Sequence, residues 1–180
     1  MPKKTLLYHG TLARHLPAIA ETGLVPLIGS FTEKTFGKAS DRVIPAVFMA
    51  GPKDLERVVH AMVAAIMDEV TEEDFSEWDI REQYHLNDEL FVKYGAILVI
   101  EKNDGFKQAG TMEPAEPIQA EDGDWFSLEA VRPAKTLTGD ELLEFLAGRD
   151  LVPSAINDFV DPDSIPAGSR PIPKPPFDLG

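Results

Sequence analysis

Cysteine is missing from all 180 residues. That absence excludes a disulfide scaffold, a cysteine nucleophile, an iron–sulfur cluster and a thiolate zinc site, and it fits a reducing compartment, so the cytoplasm is the expected location. Long apolar runs are also missing, and nothing approaches the roughly 20 residues that cross a bilayer. Met1-Pro2-Lys3-Lys4 leads only to Leu6, Leu7 and Tyr8 before polar residues return, which argues against a signal peptide and a membrane partner. Positive charge is scarce: 17 Lys and Arg stand against 31 Asp and Glu, for a formal net charge of -14. Such a chain repels phosphate backbones at long range, so nucleic acid is not an expected partner, although a local basic patch can still hold a phosphate. His9, His15, His60 and His85 form neither an i, i+4 pair on a helix nor a set at metal spacing, so no metal is expected. There is no phosphate-cradling Gly-x-x-x-x-Gly-Lys-Ser, no Gly-x-Gly-x-x-Gly and no Gly-x-Ser-x-Gly.

What is present suits one domain with a real core, since 43% of the residues are hydrophobic. Leu6, Leu7 and Tyr8 make a short strand that ends in His9-Gly10-Thr11, where Thr11 can cap the helix that follows. Pro17 belongs in a first turn, so that helix starts near His15, buries Leu16, Ile19 and Ala20, and ends at Gly23. Residues 29–42 have no periodicity and carry Lys34, Lys38 and Arg42, which reads as a loop. Ile44 to Ala50 reads as a strand buried on both faces, with Val47, Phe48 and Met49 in succession. Gly51-Pro52 then opens the longest amphipathic helix, from about Lys53 to Val70, on which Leu55, Val58, Val59, Met62, Val63, Ile66 and Met67 recur at three- and four-residue intervals.

The acidic stretch from Asp68 to Glu89 reads as a solvated connector with one or two helical turns. Ala96 to Ile100 is a buried strand, Phe106 to Met112 an edge strand after the Asp104-Gly105 turn, and Pro117 to Ala120 and Trp125 to Val131 supply one or two short strands. Thr138 opens a last helix through Leu142, Leu143, Phe145 and Leu146, closed by Gly148. Residues 150–180 hold seven prolines, from Pro153 to Pro176, and read as an extended or disordered tail. By elimination, what remains is a histidine at the end of a buried strand, a glycine that bares its backbone amide and a threonine that opens a helix.

Leu7-Tyr8-His9-Gly10-Thr11, then Ile19, then Gly23-Leu24-Val25-Pro26, resembles the opening of the ADP-ribosyltransferase superfamily of the diphtheria-toxin and poly-ADP-ribose-polymerase type, shared with the RNA 2′-phosphotransferases. Phe36-Gly37-Lys38 through Ala46-Val47-Phe48-Met49-Ala50 is similar to its second block, and Asp124-Trp125-Phe126-Ser127 with Val131-Arg132-Pro133 to the late strand that bears the acid. The resemblance spans residues 5–137 in three pieces, and the first is the specific one.

For residues 1–149 it implies an α+β domain, a split and bent pair of small β-sheets with peripheral helices. NAD is the implied substrate, with no metal. His9 would hydrogen-bond the ribose beside nicotinamide and Gly10 would hold the carboxamide through its main chain. Thr11 would touch the adenosine side. Phe48 stands where tyrosine is common and would stack on the nicotinamide ring, and His60, or Val59 beside it, would close the other face. Lys34, Lys38 and Arg42 would clamp the diphosphate, with Arg14 as competitor. The catalytic candidates are His9 and an acid, Asp124 in one register and Glu121, Asp122 or Glu129 in another; relatives usually carry glutamate.

The implied activity is mono-ADP-ribosyl transfer to a protein or small-molecule acceptor, including a toxin-like role with an antitoxin or regulatory partner. An NAD glycohydrolase and a catalytically silent binder of ADP-ribose, NAD or a partner protein are the rivals. Charge weighs against the RNA 2′-phosphotransferase.

Overall fold

A computed structural model describes residues 4–28, 44–67, 69, 88–110 and 123–151. Its first strand, β1, runs Leu6–Leu12, longer than the apolar run alone suggests, because β-prone Thr11 and Leu12 continue the extended backbone past His9 and Gly10. Thr11 is therefore a strand residue and not a helix cap. A 3-10 turn, Ala13–His15, leads into α1, Leu16–Thr22, with Pro17 in its first turn as its missing N–H requires. Gly23 ends α1 with φ 79°, and a Cβ there would lie 2.9 Å from the carbonyl oxygen of Val131. Only glycine fits both constraints.

The remaining elements are β2, Val47–Met49; a 3-10 turn, Pro52–Asp54; α2, Leu55–Met67; α3, Asp88–Tyr94; β3, Gly95–Glu101; β4, Lys107–Gln108; β5, Trp125–Ser127; β6, Lys135–Leu137; and α4, Gly139–Ala147. The fold class is α+β, with two small three-stranded sheets ordered β1-β3-β6 and β2-β5-β4. In the second, β5 pairs antiparallel with β2 (Val47 opposite Ser127, Phe48 opposite Phe126, Met49 opposite Trp125) and with β4. Paired backbone hydrogen bonds of 2.9 Å between Tyr8 and Ala50 tie β1 to the end of β2. Among the described residues no helix is long and apolar enough to cross a membrane.

The chain divides into two compact units. The first comprises Met1–His9, His15–Val58 and Leu98–Thr136. Its core gathers Leu7, Ile19, Leu24, Val47, Met49, Leu98, Ile100 and Val131, with Leu16, Phe106 and Trp125 packed against it. A smaller cluster of Ala46, Ala109 and Phe126 carries Phe48 on its margin. The second unit comprises Gly10–Arg14, Val59–Ile97 and Leu137–Gly180. Val59, Met62, Val63 and Ile66 on α2, Phe91 on α3, and Leu142 and Leu146 on α4 are buried there. Gly95 permits this packing, since a Cβ would come within 2.7 Å of the Phe91 carbonyl oxygen and 2.8 Å of Met62 Cε.

Further expectations change: Ala20, expected on the buried face of α1, is exposed. The strand expected over Ile44 to Ala50 shortens to β2, and Phe48 on it is half-buried, because its side faces the margin of the small cluster. A helix, α3, forms where the acidic connector was expected to end, since Phe91 supplies a buried anchor that the preceding carboxylates mask in the pattern. Thr138 precedes α4 in extended conformation, but its side chain makes no capping hydrogen bond. Gly148 closes α4 as expected, but in right-handed conformation (φ -65°), and the left-handed residue is Asp150, with Leu151 N–H donating to Leu146 O at 3.0 Å. The expected loop over residues 29–42, the strand at 117–120 and the proline-rich tail beyond 151 lie outside the described residues.

Candidate functional site

The antiparallel bridge at Tyr8 and Ala50 fixes β1 beside β2, and one residue further on His9 turns its ring toward β2. His9 Nδ1 lies 2.7 Å from the carbonyl oxygen of Phe48. A carbonyl only accepts, so Nδ1 carries the proton and, in the neutral ring, Nε2 presents a lone pair. Burial lowers the His9 pKa from its ordinary 6.5, and the hydrogen bond to Phe48 offsets only part of that shift. At neutral pH the ring is thus uncharged. Its chemistry is that of a fixed acceptor suited to a hydroxyl, and not of a cation that would hold a phosphate.

Phe48 stands opposite Phe126 across the β2-β5 ladder, with ring centroids 6.5 Å apart and planes inclined by 44°. This tilted cross-strand pair fixes the orientation of Phe48. Phe48 is half-buried, packed on the margin of the Ala46, Ala109 and Phe126 cluster.

Asp124 immediately precedes β5, one residue beyond the Met49–Trp125 pair. Its carbonyl accepts the N–H of Ala109 at 2.8 Å, which anchors the backbone at the end of the β4-β5 ladder. Gly123, at φ 93°, makes the turn that delivers Asp124 to that position. The Asp124 carboxylate meets Arg57 of α2, with Nη1 to Oδ1 at 3.1 Å, and Arg57 Nη2 also reaches Asp54 Oδ1 at 3.2 Å. Sequence reasoning missed Arg57. Its only local signal is the i, i+3 spacing from Asp54, which any solvated helix face shows, whereas its less exposed partner lies far along the chain.

Three of the expected residues, His9, Phe48 and Asp124, thus fall on adjoining backbone segments of the first unit. His9 bonds to the Phe48 carbonyl, Phe48 pairs with Phe126, and Asp124 lies two residues before Phe126. Gly10 and Thr11 continue β1 and belong, with Val59 and His60 on α2, to the second unit. Arg14, the competitor for the diphosphate, is bound to Glu69 at 2.8 Å. Glu129 is exposed; its backbone N–H and carbonyl are both tied to Ser127 Oγ. Glu121, Asp122, Lys34, Lys38 and Arg42 lie outside the described residues. Among the described residues no three His, Asp or Glu side chains gather in a way that could hold a metal ion.

No protein family, no curated protein and no solved structure matches the chain.

Proposed function

We propose that the chain is a mono-ADP-ribosyltransferase that cleaves NAD at the nicotinamide ribose and passes ADP-ribose to a protein or small-molecule acceptor. The observation that carries this reading is the neutral His9 ring, fixed by the Phe48 carbonyl so that Nε2 is an acceptor, beside a half-buried aromatic. A ribose hydroxyl donates to such a nitrogen, and a nicotinamide ring stacks on such a face. In the reaction the bond between the anomeric carbon and the nicotinamide nitrogen breaks, its electron pair leaving on that nitrogen. The acceptor's lone pair forms the new bond, and the acceptor's proton passes to solvent. Positive charge grows on the ribose as the bond breaks, and the carboxylate of Asp124 is the group assigned to stabilise it.

The test is incubation of the purified chain with NAD, with and without cell lysate, following free nicotinamide and ADP-ribose. Nicotinamide release matched by labelled acceptor supports transfer. Release matched by free ADP-ribose instead makes the chain an NAD glycohydrolase.

One observation favours the silent binder: Asp124 is already paired with Arg57, and its side chain is one methylene shorter than glutamate. Binding of ADP-ribose with no nicotinamide release under any condition would establish that second reading.

A further inference from the structure

We propose that Arg57 is a positioning residue for the Asp124 carboxylate, an inference that rests on the transferase reading above. An Arg three residues after Asp54 would be satisfied by that helical neighbour alone, as an ordinary surface pair. Here the guanidinium is shared. One prong goes to Asp54, whose side chain is 41% exposed, and the other to Asp124, whose side chain is 17% exposed. The better-shielded pair is the less screened by solvent and salt, so it dominates the orientation of the guanidinium. Reaching it depends on the left-handed turn at Gly123, where a Cβ would lie 3.8 Å from Arg57 Nη2.

The chain thus spends a special backbone conformation on bringing a strand-end carboxylate to a helix-borne arginine. Two carboxylates thus face this guanidinium. Asp54 takes up part of the arginine's charge, so the pair with Arg57 orients Asp124 without cancelling the field it presents to a developing cation. The contact engages Asp124 Oδ1 and ties the carboxylate that precedes β5 to a side chain of α2. Arg57 touches no reacting atom in this assignment and acts only through Asp124.

The experiment measures nicotinamide release from NAD by the full chain carrying Arg57→Gln, Arg57→Lys, Asp124→Asn and the Arg57→Gln/Asp124→Asn pair, each checked for folding by circular dichroism. Arg57→Gln is expected to lower kcat by on the order of a hundredfold, the scale of an ångström-sized displacement of a reacting group, with KM for NAD unchanged. Arg57→Lys, which keeps the charge and loses the fork, is expected to fall between Gln and wild type. The double variant is expected to be no slower than Asp124→Asn alone, because two residues acting as one unit do not add. Should Arg57→Gln fail to fold, Arg57→Lys decides by the same split: reduced kcat at constant KM supports the role, and wild-type kcat overturns it. Wild-type turnover in folded Arg57→Gln, or fully additive losses in the double variant, would also overturn it while leaving the transferase reading intact. Absence of nicotinamide release by the wild-type chain would overturn both.

Discussion

His9 donates from Nδ1 to the carbonyl oxygen of Phe48, 39 residues away, over 2.7 Å. This bond joins β1 to β2 through a side chain where the backbone bridge at Tyr8 and Ala50 has ended. It also places the proton on Nδ1, which leaves Nε2 as an acceptor in the neutral ring.

If Nε2 accepts from a ribose hydroxyl, His9→Ala should weaken ADP-ribose binding by roughly tenfold, the worth of one good hydrogen bond. Isothermal titration calorimetry on the folded variant measures this. Equal affinity in wild type and variant would remove His9 from the binding site.

The same ring makes stability depend on pH. The unfolded chain takes up a proton at His9 near 6.5, and the folded chain only at a lower pH, because burial disfavours the charged ring. The contribution is therefore complete above that value and declines as pH falls from it through the folded-state pKa. Urea unfolding at about pH 7.5 and about pH 5.5 should show a larger loss for wild type than for His9→Gln. Identical losses would mean that the ring is not held neutral by burial.

Two glycines are required by the packing and not by the chemistry. Gly23→Ala would place a methyl on the Val131 carbonyl at a positive φ, and Gly95→Ala would place one on the Phe91 carbonyl and on Met62. Each substitution should cost about 1–3 kcal/mol in denaturant unfolding, the usual penalty for overpacking. A cost within experimental error at either position would show that the backbone yields there.

How much of this was legible in the sequence depends on the range of the interactions. Pro17 and Gly23 bracket α1 because proline and glycine act on their own backbone, and the apolar run at Ala96 to Ile100 forms β3 because burial on both faces leaves no alternation to misread. Thr11 reads as a cap because a threonine before a helix looks the same whether or not the strand continues through it. The helix at Asp88–Tyr94 was hidden by acidic neighbours, and its anchor Phe91 is recognisable only once its buried surroundings exist. At the site, His9 and Phe48 were visible as a strand-end histidine and a strand aromatic, but their hydrogen bond joins a side chain to a backbone atom and leaves no trace in either residue type. Arg57 was illegible for a related reason: its pairing with Asp124 is set by the turn at Gly123, not by any spacing near Arg57.

The central claim is that a carboxylate at the start of β5 stabilises the breaking of the nicotinamide–ribose bond. The most direct measurement is the rate of nicotinamide release by Asp124→Asn against wild type, with ADP-ribose affinity measured on the same samples. The expected result is a fall in kcat of orders of magnitude with affinity unchanged, the signature of an interaction made in the transition state. Equal release by Asp124→Asn and wild type would contradict the claim.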